Sequence, residues 1–119
     1  MATDKYLDND DYAQRMDNDI GLMSELYQIF LEDSRNLIKE IDDAVSNNDS
    51  SALRISAHTL KGSSACISAK IIQSLASELE DLATEGNMQK AIALNEKLKE
   101  SYEGTLFEIQ QALEKLSAI

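Results

Sequence analysis

The sequence contains no proline, no tryptophan, four glycines and one cysteine. Without proline and with so little glycine, the chain lacks the turn formers that a strand-dense β architecture needs. The single Cys66 cannot close an internal disulfide, which fits a reducing compartment. Basic residues are scarce too: 11 stand against 22 acids, a formal net charge of −11, so a nucleic-acid backbone or an anionic membrane surface would be repelled. No apolar run approaches the roughly 18 residues of a spanning helix. The start, Met1 to Asp11, is acidic where a secretory signal would be basic and then apolar. A cytoplasmic chain without membrane insertion is expected. What the chain does have is apolar content, 43% of 119 residues, enough for the core of one domain and too much for a disordered regulator.

The apolar residues recur at helical spacing in long stretches separated by short polar breaks. After a lead-in over 1–18, in which Tyr6 to Met16 has the length of a short extra helix, Asp17, Asn18 and Asp19 offer N-cap oxygens. The stretch that follows carries Met23, Leu26, Tyr27, Phe30, Leu37, Ile38, Ile41 and Val45 and should end near Ser46 to Asn48. Asp49 or Ser50 can cap the next, whose buried stripe is Leu53, Ala57, Leu60, Ser64 and Ile67. Ser68 reads as the N-cap of a third stretch with Ile72, Leu75, Leu79 and Leu82, closed by Gly86. The fourth runs from about Met88 with Ala91, Leu94, Leu98, Tyr102, Leu106, Ile109, Leu113 and Leu116 on one stripe. Four amphipathic helices with short connections pack most simply as an antiparallel four-helix bundle over 19–119, so an all-α fold with a short extra N-terminal helix is expected. Cys66 and the four methionines read as core filler.

No constellation for catalysis of a usual kind is present, since one histidine and one cysteine make neither a metal cluster nor a triad, and no glycine-rich phosphate loop occurs. One window departs from the rest of the chain. Residues 50–77 contain no Asp or Glu, although 22 acids in 119 residues predict about five in 28 positions. The window holds Arg54, Lys61 and Lys70 and the only histidine, His58, so it carries +3 while the remaining 91 residues carry −14. Arg54, His58, Lys61, Gly62 and Ala65 share one helical face, opposite the Leu53/Leu60/Ile67 stripe, so His58 should face solvent between cations. Gly62-Ser63-Ser64 could end a helix there, but the apolar period resumes in phase at Ile67. Gly inside a helix costs roughly 1 kcal/mol relative to Ala, and a bulky group approaching the imidazole is a reason to tolerate it. Neutral imidazole is a nucleophile near physiological pH, and cations beside it stabilise a transferring phosphoryl group. With no nucleotide or metal site of its own, such a chain suits a carrier that other proteins load and unload.

The run Ala57-His58-Thr59-Leu60-Lys61-Gly62-Ser63-Ser64-Ala65 resembles the signature of histidine-containing phosphotransfer (HPt) domains of bacterial phosphorelays. Phe30-Leu31-Glu32-Asp33, Leu37, Ile41, Ala44, Asp49 and Leu53 resemble the family's preceding helix, and Leu79-Glu80 its Leu-Glu pair, so the similarity spans roughly 19–116. The resemblance implies that His58 accepts a phosphoryl group through Nε2 and that Lys61 neutralises the phosphoryl oxygens. It further implies that Gly62 leaves room for a docking partner and that Glu80 accepts a hydrogen bond from Nδ1. Arg54, Ile55 and Ala65 would contact that partner. Expected partners are response-regulator receiver domains and a hybrid sensor histidine kinase, with the chain a monomer that needs no cofactor and Mg2+ bound on the receiver. The chain would carry phosphoryl groups without being an enzyme. Two residues depart from the family: Ser68 stands where glycine is usual after the His helix, and Ile55 where a polar residue is frequent. The rival readings are the phospho-accepting domain of a chemotaxis-type kinase and an adaptor that binds partners with His58 unused.

Overall fold

The computed structural model describes residues 5–119, and all its regular structure is helical: α1 (Asn9–Arg15), α2 (Ile20–Ser46), α3 (Ser50–Cys66), α4 (Lys70–Glu85) and α5 (Met88–Ser117). The starts follow from short acceptor side chains. Asp8, Asp19, Asp49 and Asn87 accept from the backbone N–H three residues on, at Asp11, Leu22, Ala52 and Lys90, satisfying one orphan donor of each first turn. The stops of α2, α3 and α4 share one device: a single left-handed residue, Asn48, Ser68 or Gly86, after which the next N–H turns back to the carbonyl five residues earlier.

The four long helices form an antiparallel bundle in which α2 packs on α3, α3 on α4, α4 on α5 and α5 back on α2. It measures 46 × 21 × 19 Å. Its axis is filled by the expected stripes, with Leu53, Ala57, Leu60, Ile67, Ile72, Leu79, Ala91, Leu98 and Ile109 all at 0–1% exposure. Each of the larger aliphatic chains stabilises the fold by roughly 1.5–3 kcal/mol through removal from water. Leu82, Leu94, Leu106, Leu113 and Leu116 are half-buried at the edge of this core. The α2–α5 seam is also polar: the Ser34 and Tyr102 hydroxyls meet at 2.8 Å, and Asp42 accepts from Asn95 Nδ2 and Lys99 Nζ. Helix α1 closes one end, with Tyr12 fully buried, its ring 4.7 Å from that of Tyr27 and its hydroxyl donating to the Met23 carbonyl. No helix among the described residues is long and apolar enough to cross a membrane.

Two sequence expectations are corrected. Ser68 is not the N-cap of α4: that position falls to Ala69, which has no capping side chain, while Ser68 sits at φ +56° with its hydroxyl engaged by α1. Cys66 is exposed and fills no core, because six residues after Leu60 it falls off the Leu60/Ser64/Ile67 stripe. Met16, Met23 and Met88 do pack against the core from half-buried positions; Met1 lies outside the described residues.

Candidate functional site

Helix α3 buries Leu53, Ala57, Leu60 and Ser64 and therefore turns His58 outward, leaving its side chain 66% exposed midway along the bundle. The neighbouring α4 buries Ile72, Leu75, Ala76 and Leu79, which brings the next residue, Glu80, to the α3 flank at 19% exposure. His58 Nδ1 lies 2.9 Å from Glu80 Oε2. An ionised carboxylate only accepts, so Nδ1 is the protonated nitrogen of this pair. In the neutral ring, Nε2 then carries the lone pair. Among the described residues no hydrogen bond reaches Nε2.

Glu80 has a second partner that the sequence reading did not anticipate. Lys61, one turn after His58, donates from Nζ to Glu80 Oε1 at 2.6 Å. The ammonium of Lys61, and after it the His58 ring, hold the Glu80 carboxyl below its ordinary value of 4.5, against the upward push of partial burial. One carboxylate thus fixes the ring's tautomer and holds the adjacent cation within reach of the same imidazole.

The other residues of the face are distributed along α3. Arg54, one turn before His58, is exposed with no charged partner among the described residues, whereas Lys70 lies 3.5 Å from Asp11. The cationic strip read in the sequence is therefore partly neutralised by acids that other helices deliver, and Arg54 is its free charge. Ile55 is 58% exposed, an apolar surface one turn from the ring. Ala65 is half-buried, and its carbonyl accepts from Arg15 Nη2, which makes it the least available of the three docking candidates. A Cβ built at Gly62 would meet nothing within 4 Å, so no contact inside the chain requires glycine there. No group of three or more His, Cys, Asp or Glu among the described residues is placed to hold a metal ion.

The arrangement can present a tautomer-fixed, unobstructed imidazole nitrogen to a partner's electrophile, with a lysine alongside. Residues 25–119 match the Hpt domain family. The fold superposes on the crystal structure of histidine-containing phosphotransfer protein B (HptB) from Pseudomonas aeruginosa PAO1 with a TM-score of 0.87 and 26% identity, over 95% of this chain and 98% of that one. A sequence search of curated proteins finds no match. With the family matched over four-fifths of its length and the whole fold shared with a phosphotransfer protein, the chain belongs to the Hpt domain family and has a histidine phosphotransfer role in phosphorelay signalling.

Proposed function

We propose that His58 accepts a phosphoryl group from the aspartyl phosphate of one receiver domain and passes it to the aspartate of another response regulator. The observation that carries this reading is the open Nε2 of a ring whose Nδ1 is occupied by Glu80. In the forward step the Nε2 lone pair forms the N–P bond as the P–O bond to the donor aspartate breaks, returning that carboxylate to the donor. The proton stays on Nδ1. The ring therefore becomes cationic as the bond forms, and the Glu80 carboxylate faces that charge where it develops. Lys61, already beside the ring, neutralises the incoming phosphoryl oxygens, and the receiver supplies its own acidic pocket and Mg2+. Transfer to the second receiver reverses these steps.

In this reading Gly62 keeps the approach clear, and Arg54, Ile55 and Ala65 meet the receiver, with Arg54 steering toward its acidic pocket. A hybrid sensor kinase supplies the donor receiver, and the chain acts as a cytoplasmic monomer without turnover of its own. The test mixes the chain with a phosphorylated receiver and follows label onto His58. Wild type should be labelled and H58Q should not, with stability changed by no more than about 0.5 kcal/mol for an exposed substitution. Label on H58Q, or unchanged partner output from it, would overturn the acceptor role. Labelling of wild type by ATP and an isolated kinase domain, and not by a phosphorylated receiver, would favour the chemotaxis-type alternative.

A further inference from the structure

Five described residues outside glycine-only territory or within it adopt positive φ: Asp17, Asn18, Asn48, Ser68 and Gly86. Four are Gly, Asn or Asp, the types that visit the left-handed region at little cost. Ser68 is the exception, at φ +56° and 1% exposure. It is also the one that another element grips. Its hydroxyl donates to Asp11 Oδ2 at 2.6 Å and accepts from Arg15 Nη2 at 2.6 Å, while its carbonyl accepts from the Asp8 N–H at 3.0 Å. The same Arg15 nitrogen reaches the Ala65 and Cys66 carbonyls, the last of α3, at 2.9 and 3.0 Å. Arg15 Nε and Lys70 Nζ complete the group on Asp11, at 3.2 and 3.5 Å. The Ser68 hydroxyl, ahead of these cations, holds the Asp11 carboxyl below its ordinary 3.8.

We infer that Asp11 and Arg15 are positioning residues for the phospho-acceptor site, clamping Ser68 in its left-handed turn and so setting the register in which α4 presents Glu80 to His58. The inference rests on the proposed role of His58. Its physical basis is leverage. Only Ile67, Ser68 and Ala69 join α3 to α4. Glu80 stands ten residues into α4 from Lys70, roughly 15 Å along the axis. A 10° change of direction at the turn would swing it by about 2.5 Å, comparable to the length of the bond it makes with the ring. Glycine would hold this turn by its own conformational freedom, whereas serine holds it with help from α1, a helix that lies before the matched residues 25–119.

The experiment compares the full chain with R15A, S68G and R15A/S68G by urea unfolding and by 15N NMR of the imidazole. His58 is the only histidine, so both imidazole nitrogen resonances belong to it and only Nδ1 and Nε2 have to be told apart. R15A is expected to raise the unfolding constant about tenfold alone and by a clearly smaller factor in the S68G background, where only the bonds to the Ala65 and Cys66 carbonyls and to Asp11 remain to be lost. It should also move the Nδ1 resonance toward the position it takes in E80Q, and S68G should restore it. Additive unfolding effects would overturn the clamp, and coupled effects with an unmoved ring resonance would overturn the positioning role. D11N, a milder variant, serves both readouts if R15A does not fold. Neither readout uses a phosphorylated partner, so a chain that behaved as expected here and yet took no label would count against the acceptor role and leave the clamp standing.

Discussion

The middle of the bundle and its α1 end are each organised by one glutamate and one helical glycine, and they use them in opposite ways. At the α1 end Glu108, 8% exposed, accepts from three successive backbone N–H groups, those of Lys5, Tyr6 and Leu7, at 2.9–3.0 Å. One turn earlier, Gly104 leaves the space that the Tyr6 ring fills; a Cβ there would fall 2.1 Å from Tyr6 Cε2. In the middle, Glu80 also accepts from two groups, but what it leaves over is the Nε2 lone pair on an exposed ring, and the space beside Gly62 stays empty. Where both carboxylate oxygens are taken by backbone and the space at the glycine is filled by a ring, a polar cluster fixes the chain. Where a lone pair and a space are left over, it can receive a partner.

That contrast can be broken by substitution. E80Q should slow phosphoryl acceptance about 10- to 100-fold while the protein remains folded, because the amide no longer fixes the tautomer as a carboxylate does; labelling rates against a fixed receiver check this. E108A should do the reverse, costing about 2–3 kcal/mol in urea unfolding by orphaning three N–H groups, with labelling of the folded fraction unchanged. If E108A abolished labelling in folded protein, the two regions would not be separable. The glycines sharpen the same point: G104A should destabilise by about 1–3 kcal/mol through the Tyr6 clash, whereas G62A should be neutral or stabilise by up to about 1 kcal/mol while slowing transfer from the receiver. Thermal melts and transfer rates on the pair decide it.

The smallest effect is that of acid. Glu80, Asp42 and Asp11 all titrate below their ordinary values in the folded chain, chiefly through Lys61, Lys99 and Ser68 respectively. Groups with lowered folded values contribute stability that is complete above the unfolded values of 4.5 and 3.8 and is lost as pH falls through the folded ones. Urea midpoints should therefore decline below about pH 4.5, and less so in E80Q than in wild type.

The His58 face was legible in the sequence because its signals are local: an acid-free window and an i, i+3, i+4 set opposite the in-phase Leu53/Leu60/Ile67 stripe. The Lys61–Glu80 pair was not, because it depends on how two helices are aligned across a turn that local spacing does not encode. The turn itself misled, since a serine before a helix ordinarily caps it, and here α1 claims the hydroxyl. Glu108 was missed for a related reason. It is buried while the adjacent Phe107 is 66% exposed, the reverse of what hydrophobicity suggests. A trace was present all the same, in that Glu108 follows Gly104 by one turn on the flank of the apolar stripe.

A solitary ring on a single flank admits one visitor at a time. In the relay proposed above, loader and recipient take turns at this ring, so traffic through it is sequential and the relative abundance and phosphorylation of the two set which way the load travels.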